Sequence, residues 1–168
     1  MEGCLLHRKH SSPLLNLMKE ILLMAHVFLG VLCVLGALWV FVDTLNASET
    51  NLARIRLVSR FVPVVMTVGF LIAGYWYVNL YPADKAIILK GPWPFAHDFF
   101  METKEHLVLM LLLLTAYLPI VASANLSLNH DARRLTLWVS ALIVLTGLVM
   151  EGEGGMISMG VRMGLLPH

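Results

Sequence analysis

The chain has 168 residues, of which 58% are hydrophobic and only 14% charged, with a mean hydropathy of +0.78. Soluble domains are nearer half apolar and a quarter charged, so a water-soluble core of this composition would leave large greasy patches exposed. The net charge of +1 gives no electrostatic case for nucleic acid, and the length fits one domain, residues 1–168, in a lipid bilayer.

The two cysteines, Cys4 and Cys33, form neither a disulfide framework nor a metal motif. They read as a tail thiol and a small buried hydrophobe. Basic residues precede the first apolar run, as in a signal peptide. That run is too long for a signal h-region, and no A-x-A-like site follows it. It reads as a retained helix.

A membrane helix needs about 20 apolar residues. Four segments come close: residues 21–42, 61–80, 104–122 and 135–150, the last being the shortest. The fold class expected is all-α, an up-down four-helix integral membrane bundle. Pro63 falls in the first turn of the second span, where proline is tolerated. "DTLNASET", "YPADK", "KGPWP" and "SANLSLNHD" carry the turn residues between spans. Four spans place both termini on one side, side A, with the loop 81–103. Lys and Arg divide seven to five in favour of side A, which favours side A as cytoplasmic. Trp39 and Trp138 fall at the side B boundary and Trp76 and Trp93 near side A, as an aromatic belt requires.

Ionisable residues gather at side A. His26 lies five residues inside the first span, His106 opens the third, and "EGEGG" follows the fourth. Antiparallel threading brings His26, Glu102, Glu105, His106, Glu151 and Glu153 to similar depth. Asp98, Glu102 and His106 are spaced i, i+4, i+8 and share a face if the helix begins near Asp98. His26, Gly30, Cys33 and Ala37 also share a face, a histidine above small residues. Gly69 and Ala73 form a similar strip on the second span. Such strips let helices approach closely or leave room for a flat cofactor.

Ionisable groups within spans cost about 2.5–3.5 kcal/mol on insertion scales and are functional suspects. Histidine is also the commonest metal ligand. Two imidazoles on facing helices suit haem b, and carboxylates with histidine suit a non-haem metal. The bland alternatives are a hydrogen-bonded His26, a snorkelling His106 and a solvated first turn at Glu102 and Glu105 that favours the helix dipole. His97, after "GPWPF", reads as a loop residue and an additional metal candidate. His7, His10, His130 and His168 read as tail and loop residues. The glycines of "EGEGGMISMG" permit tight turns and positive φ. No phosphate-loop, hydrolase or protease signature is present.

The stretches "LLMAHVFLGVLCVLGALWV", "RIRLVSRFVPVVMTVGFLIAG" and "GPWPFAHDFFMETKEHLVLMLLLL" together resemble the four-helix membrane proteins grouped around the copper-resistance CopD domain and the HemJ type of protoporphyrinogen oxidase. The match covers roughly Leu22 to Val121. The resemblance implies a four-helix bundle. For the HemJ type it implies haem held by a first-helix histidine, here His26, and a third-helix lysine important for activity, here Lys104. The chain differs from that type in carrying Glu102, Glu105 and His106 around the lysine.

The expectation is a redox protein of a bacterial inner membrane, an oxidoreductase component. It has haem b on His26 and His106, with Lys104, Glu102 and Glu105 tuning potential or proton coupling. Electrons pass to or from a quinone or a partner subunit, and a homodimer is an allowed state. The alternatives are copper handling, with His26, His106 and His97 as ligands, and an accessory subunit that only packs against a larger complex.

Overall fold

The computed structural model describes residues 13–166. Cys4, His7, His10 and His168 lie outside the described residues. The described residues fold as five α-helices and one π-helical segment: α1 Pro13–Leu45, α2 Leu52–Asn79, α3 Tyr81–Lys90, the π-helix Ala96–Met101, α4 Glu102–Val121 and α5 His130–Leu165. Four helical stretches, Leu17–Leu45, Leu52–Asn79, Ala96–Val121 and His130–Leu165, are long and apolar enough to cross a membrane. This is the all-α architecture expected from the apolar runs.

The long helices form a closed bundle. α1 packs against α2 and α5, and α4 packs against α5 and α2, so α1 and α4 are diagonal. Among the described residues α2 and α5 make no direct contact. The seam is built from small and branched side chains, including Cys33, Ala37, Val40, Ile55, Val62 and Ile143, all buried. Large apolar side chains such as Phe28, Leu71, Leu113 and Trp138 point outward, as they do where the solvent is hydrocarbon.

Three sequence expectations are corrected. The fourth span does not stop at Met150. Helix α5 continues through "EGEGG" to Leu165, about 54 Å at 1.5 Å per residue, against about 30 Å of hydrocarbon. No residue has a positive φ among those described, so these glycines are helical and make no turn; of the three, Gly154 lies against a neighbour, Lys104 Nζ. Pro63 is interior to α2, which begins at Leu52. The helix tolerates the missing N–H, as spanning helices do when neighbours steady the backbone. The loop 81–103 is largely helical, and His97 sits in the π-helix rather than in a loop.

The extended ends of α1 and α5 are capped by α3. Lys19 on α1 donates to Asp84 on α3 at 2.5 Å. Gly160 and Gly164 on α5 seat the cap. A Cβ on Gly160 would stand 2.5 Å from Ala96 Cβ, and one on Gly164 would stand 2.7 Å from the Ile87 carbonyl oxygen. Tyr81, Ile88, Ala96, Met101 and Ile157 form a second apolar cluster there.

The opposite end is tied by loops. Asn51 bridges the Asp43 and Asn46 carbonyls, each at 3.1 Å. Arg133 donates to the Thr44 carbonyl at 3.0 Å and also to that of Leu45, which satisfies the last carbonyls of α1 with a cation. Arg54 grips Asp43 through two bonds of 2.6 and 2.8 Å. Glu49 accepts from Ser127 and Asn125, and these bonds, that from Ser127 foremost, hold its carboxyl below the usual range. The Asn129 side chain caps α5 by accepting from the Ala132 N–H at 3.0 Å.

Candidate functional site

Helix geometry sets the depth of the polar groups. His26 lies about 24 Å along α1 from Val42, Lys104 about 26 Å along α4 from Val121, and Glu151 about 24 Å along α5 from Leu135. All three therefore sit near one end of a span of about 30 Å.

Three helices converge there. Lys104, half-buried, lies within electrostatic range of Glu151, Glu153 and His26. Two glycines make the room. A Cβ on Gly30 would collide with the Glu151 carboxylate, so that carboxylate is seated against α1. A Cβ on Gly154 would stand 3.0 Å from Lys104 Nζ, so the lysine tip rests over the backbone of α5. Glu153 is 6% exposed, and its Oε2 has no hydrogen-bond partner. The only other described residue at this end with an unpartnered buried side-chain atom is Trp76, through Nε1. Among the described residues Lys104 has no ion pair within 4.0 Å. The group is charged, enclosed and incompletely satisfied, an arrangement that is costly in a low-dielectric interior.

His26 faces inward and its Nδ1 is 3.2 Å from the Gly69 carbonyl oxygen of α2. A carbonyl only accepts, so Nδ1 carries a proton and donates this bond. His106 is oriented differently. It is exposed on α4, and its Nδ1 donates to the Glu102 carbonyl of its own helix at 2.7 Å. Glu102, Glu105 and Asp98 are exposed too. Glu105 accepts from the Tyr77 hydroxyl at 2.6 Å. The structure thus brings together His26 and Lys104 with Glu151 and Glu153, while His106, Glu102 and Glu105 lie on the outer face.

His97 belongs to a third place. It is buried in the cap, with Nδ1 2.9 Å from the Tyr81 hydroxyl. Tyr81 is itself buried and stacks on Tyr77 at 5.3 Å. Burial, and then nearby negative groups, push the Tyr81 phenol well above its ordinary value, so it remains a neutral hydroxyl. The π-helix aims His97 inward. π-helical turns are frequent at functional positions, because the extra residue redirects a side chain.

The sequence residues fit a porphyrin poorly within one chain. The strip below His26 is filled by neighbours: Glu151 occupies the space at Gly30, Cys33 and Ala37 are 2% and 0% exposed, and Gly69 packs on Leu29. A groove of about 870 Å³ opens outward between α1 and α2 among Leu32, Leu35, Trp39, Leu57 and Phe61, and does not include His26. Among the described residues no group of three His, Cys, Asp or Glu side chains is placed to hold a metal ion. Comparison with family models, with curated proteins and with solved structures returns no match.

Proposed function

We propose that the chain is a membrane redox component whose His26–Lys104–Glu151–Glu153 group handles the proton that accompanies electron transfer to or from a quinone or a partner subunit. The observation that carries this reading is the convergence of these groups from three helices at one depth, with Gly30 giving space to Glu151 and Gly154 to Lys104. A buried base, an amine and two carboxylates can exchange a proton over short distances, whereas a purely structural bundle gains nothing from burying them unpaired. The resemblance of Leu22–Val121 to the CopD and HemJ group supports the same choice, since His26 and Lys104 stand where that group has its histidine and lysine. The membrane in this reading is a bacterial inner membrane, with both chain ends on one side.

The test is binding of a short-chain benzoquinone to the purified protein in nanodiscs, followed by quenching of tryptophan fluorescence. Saturable quenching that weakens at least tenfold in Lys104→Met supports the reading. Quenching that is unsaturable, or identical in the variant, overturns it.

A second reading is favoured by His106, an imidazole on the outer face of α4 with its Nε2 free. Haem b would then lie between this chain and a partner subunit or second copy, and not inside the bundle. A Soret band lost in His106→Ala supports that reading, and a colourless protein overturns it.

A further inference from the structure

The charge count of the buried group is unbalanced. Two carboxylates, Glu151 and Glu153, share one cation, Lys104. Among the described residues no second lysine or arginine lies within electrostatic range of them. α1 contributes His26, whose Nδ1 is engaged with the Gly69 carbonyl, and the thiol of Cys33. The cap contributes the hydrogen-bonded Tyr81–His97 pair beside Ile157. Asp98, Glu102, Glu105 and His106 face outward, and no charged residue occurs in α2 beyond Arg60.

The two carboxylates are also placed differently. Glu151 is half-buried and has a built seat at Gly30. Glu153 is 6% exposed on the face of α5 that carries the buried Met150 and Ile157, and its Oε2 has no partner. A lone ionised carboxylate without a hydrogen-bond donor is among the most costly groups to bury, and it takes up a proton instead. Neutralising Glu153 leaves Lys104 and Glu151 as a balanced pair.

We infer that Glu153 is the proton-binding residue of the site, holding one exchangeable proton on its carboxyl while Glu151 serves as the counter-ion of Lys104. This deepens the proton-coupling reading above and rests on it. The step is a proton exchange alone: the carboxyl O–H breaks, the proton passes to water, and a solvent proton later restores it. No electron moves within Glu153.

The test is infrared spectroscopy of the purified full chain in lipid at neutral pH. A protonated-carboxyl C=O band is expected, shifting to lower frequency in deuterium oxide. It is expected to vanish in Glu153→Gln and to persist in Glu151→Gln. Absence of the band in the unmodified protein, or its loss in Glu151→Gln, overturns the assignment. Because Glu153→Gln nearly preserves shape, circular dichroism of that variant serves as the folding control. Should it fail to fold, the band in Glu151→Gln decides alone, retention supporting and loss overturning. The band is read without any quinone or haem. A protein that shows it yet binds no quinone sinks the redox reading and leaves the proton site standing.

Discussion

Replacing Gly160 by alanine places a methyl group 2.5 Å from the Ala96 Cβ. Carbon atoms rest at about 3.5–4.0 Å, so α5 and the π-helix must part by about 1–1.5 Å. Neither atom is the end of a flexible side chain, so the backbones themselves must move. Overpacking of this kind costs about 1–3 kcal/mol, against about 1 kcal/mol gained from replacing glycine within a helix. Gly155 lies on the same helix with nothing within 4 Å of its added Cβ, so Gly155→Ala should deliver the gain without the cost. The two variants should therefore differ by about 1–3 kcal/mol. Hydrogen exchange of the α3 and π-helix amides in detergent micelles reads this locally, since the cap opens at that contact. Exchange in Gly160→Ala should run about 5- to 150-fold faster than in Gly155→Ala. Equal exchange in both would refute the claim that Gly160 seats the cap.

Further outcomes follow from the remaining polar contacts. Tyr81→Phe keeps the ring stack but leaves a buried His97 nitrogen without its partner, so it should cost about 1–3 kcal/mol of unfolding free energy in chemical denaturation. Lys19→Ala strips the 4%-exposed Asp84 of its ion pair. It should destabilise by about 1–3 kcal/mol, and Asp84→Asn in the same background should recover part of the loss. Glu49 has a folded pKa below its ordinary 4.5, so its contribution is complete above that value and fades as pH falls through the lower folded value. Exchange at Ser127 and Asn125 should accelerate as pH falls below the ordinary 4.5 and through the lower folded value, and stay level above it. Glu49→Gln should remove the step.

The four crossings were legible because hydrocarbon demands runs of apolar residues, and residues such as Val31, Leu71, Leu113 and Leu145 keep that demand even on exposed faces. Helix ends were harder. Hydropathy stops counting at Glu151, but backbone hydrogen bonding does not. Glycines that read as breakers are spacers when a neighbouring helix or a charged side chain fills their place. The depth of His26, Glu151 and Glu153 was legible from counting along each span. Which groups face inward was not, because one residue of helical phase separates Lys104 from Glu105 and the π-helix shifts the i, i+4 register expected from Asp98. The Tyr81–His97 pair was missed as a pair. Its only sequence signals are a tyrosine just after one span and a histidine just before the next, and nothing in their spacing shows that α3 brings them together.

The proposed function requires Lys104, Glu151 and Glu153 to form one coupled unit inside the bundle. A mutant cycle on unfolding free energy tests it directly, comparing Lys104→Met, Glu151→Gln and the double variant in the same detergent. Lys104→Met alone should be costly, because it leaves a half-buried carboxylate without a cation, and adding Glu151→Gln should restore at least about 1 kcal/mol of the loss. Strict additivity of the two single changes would contradict it.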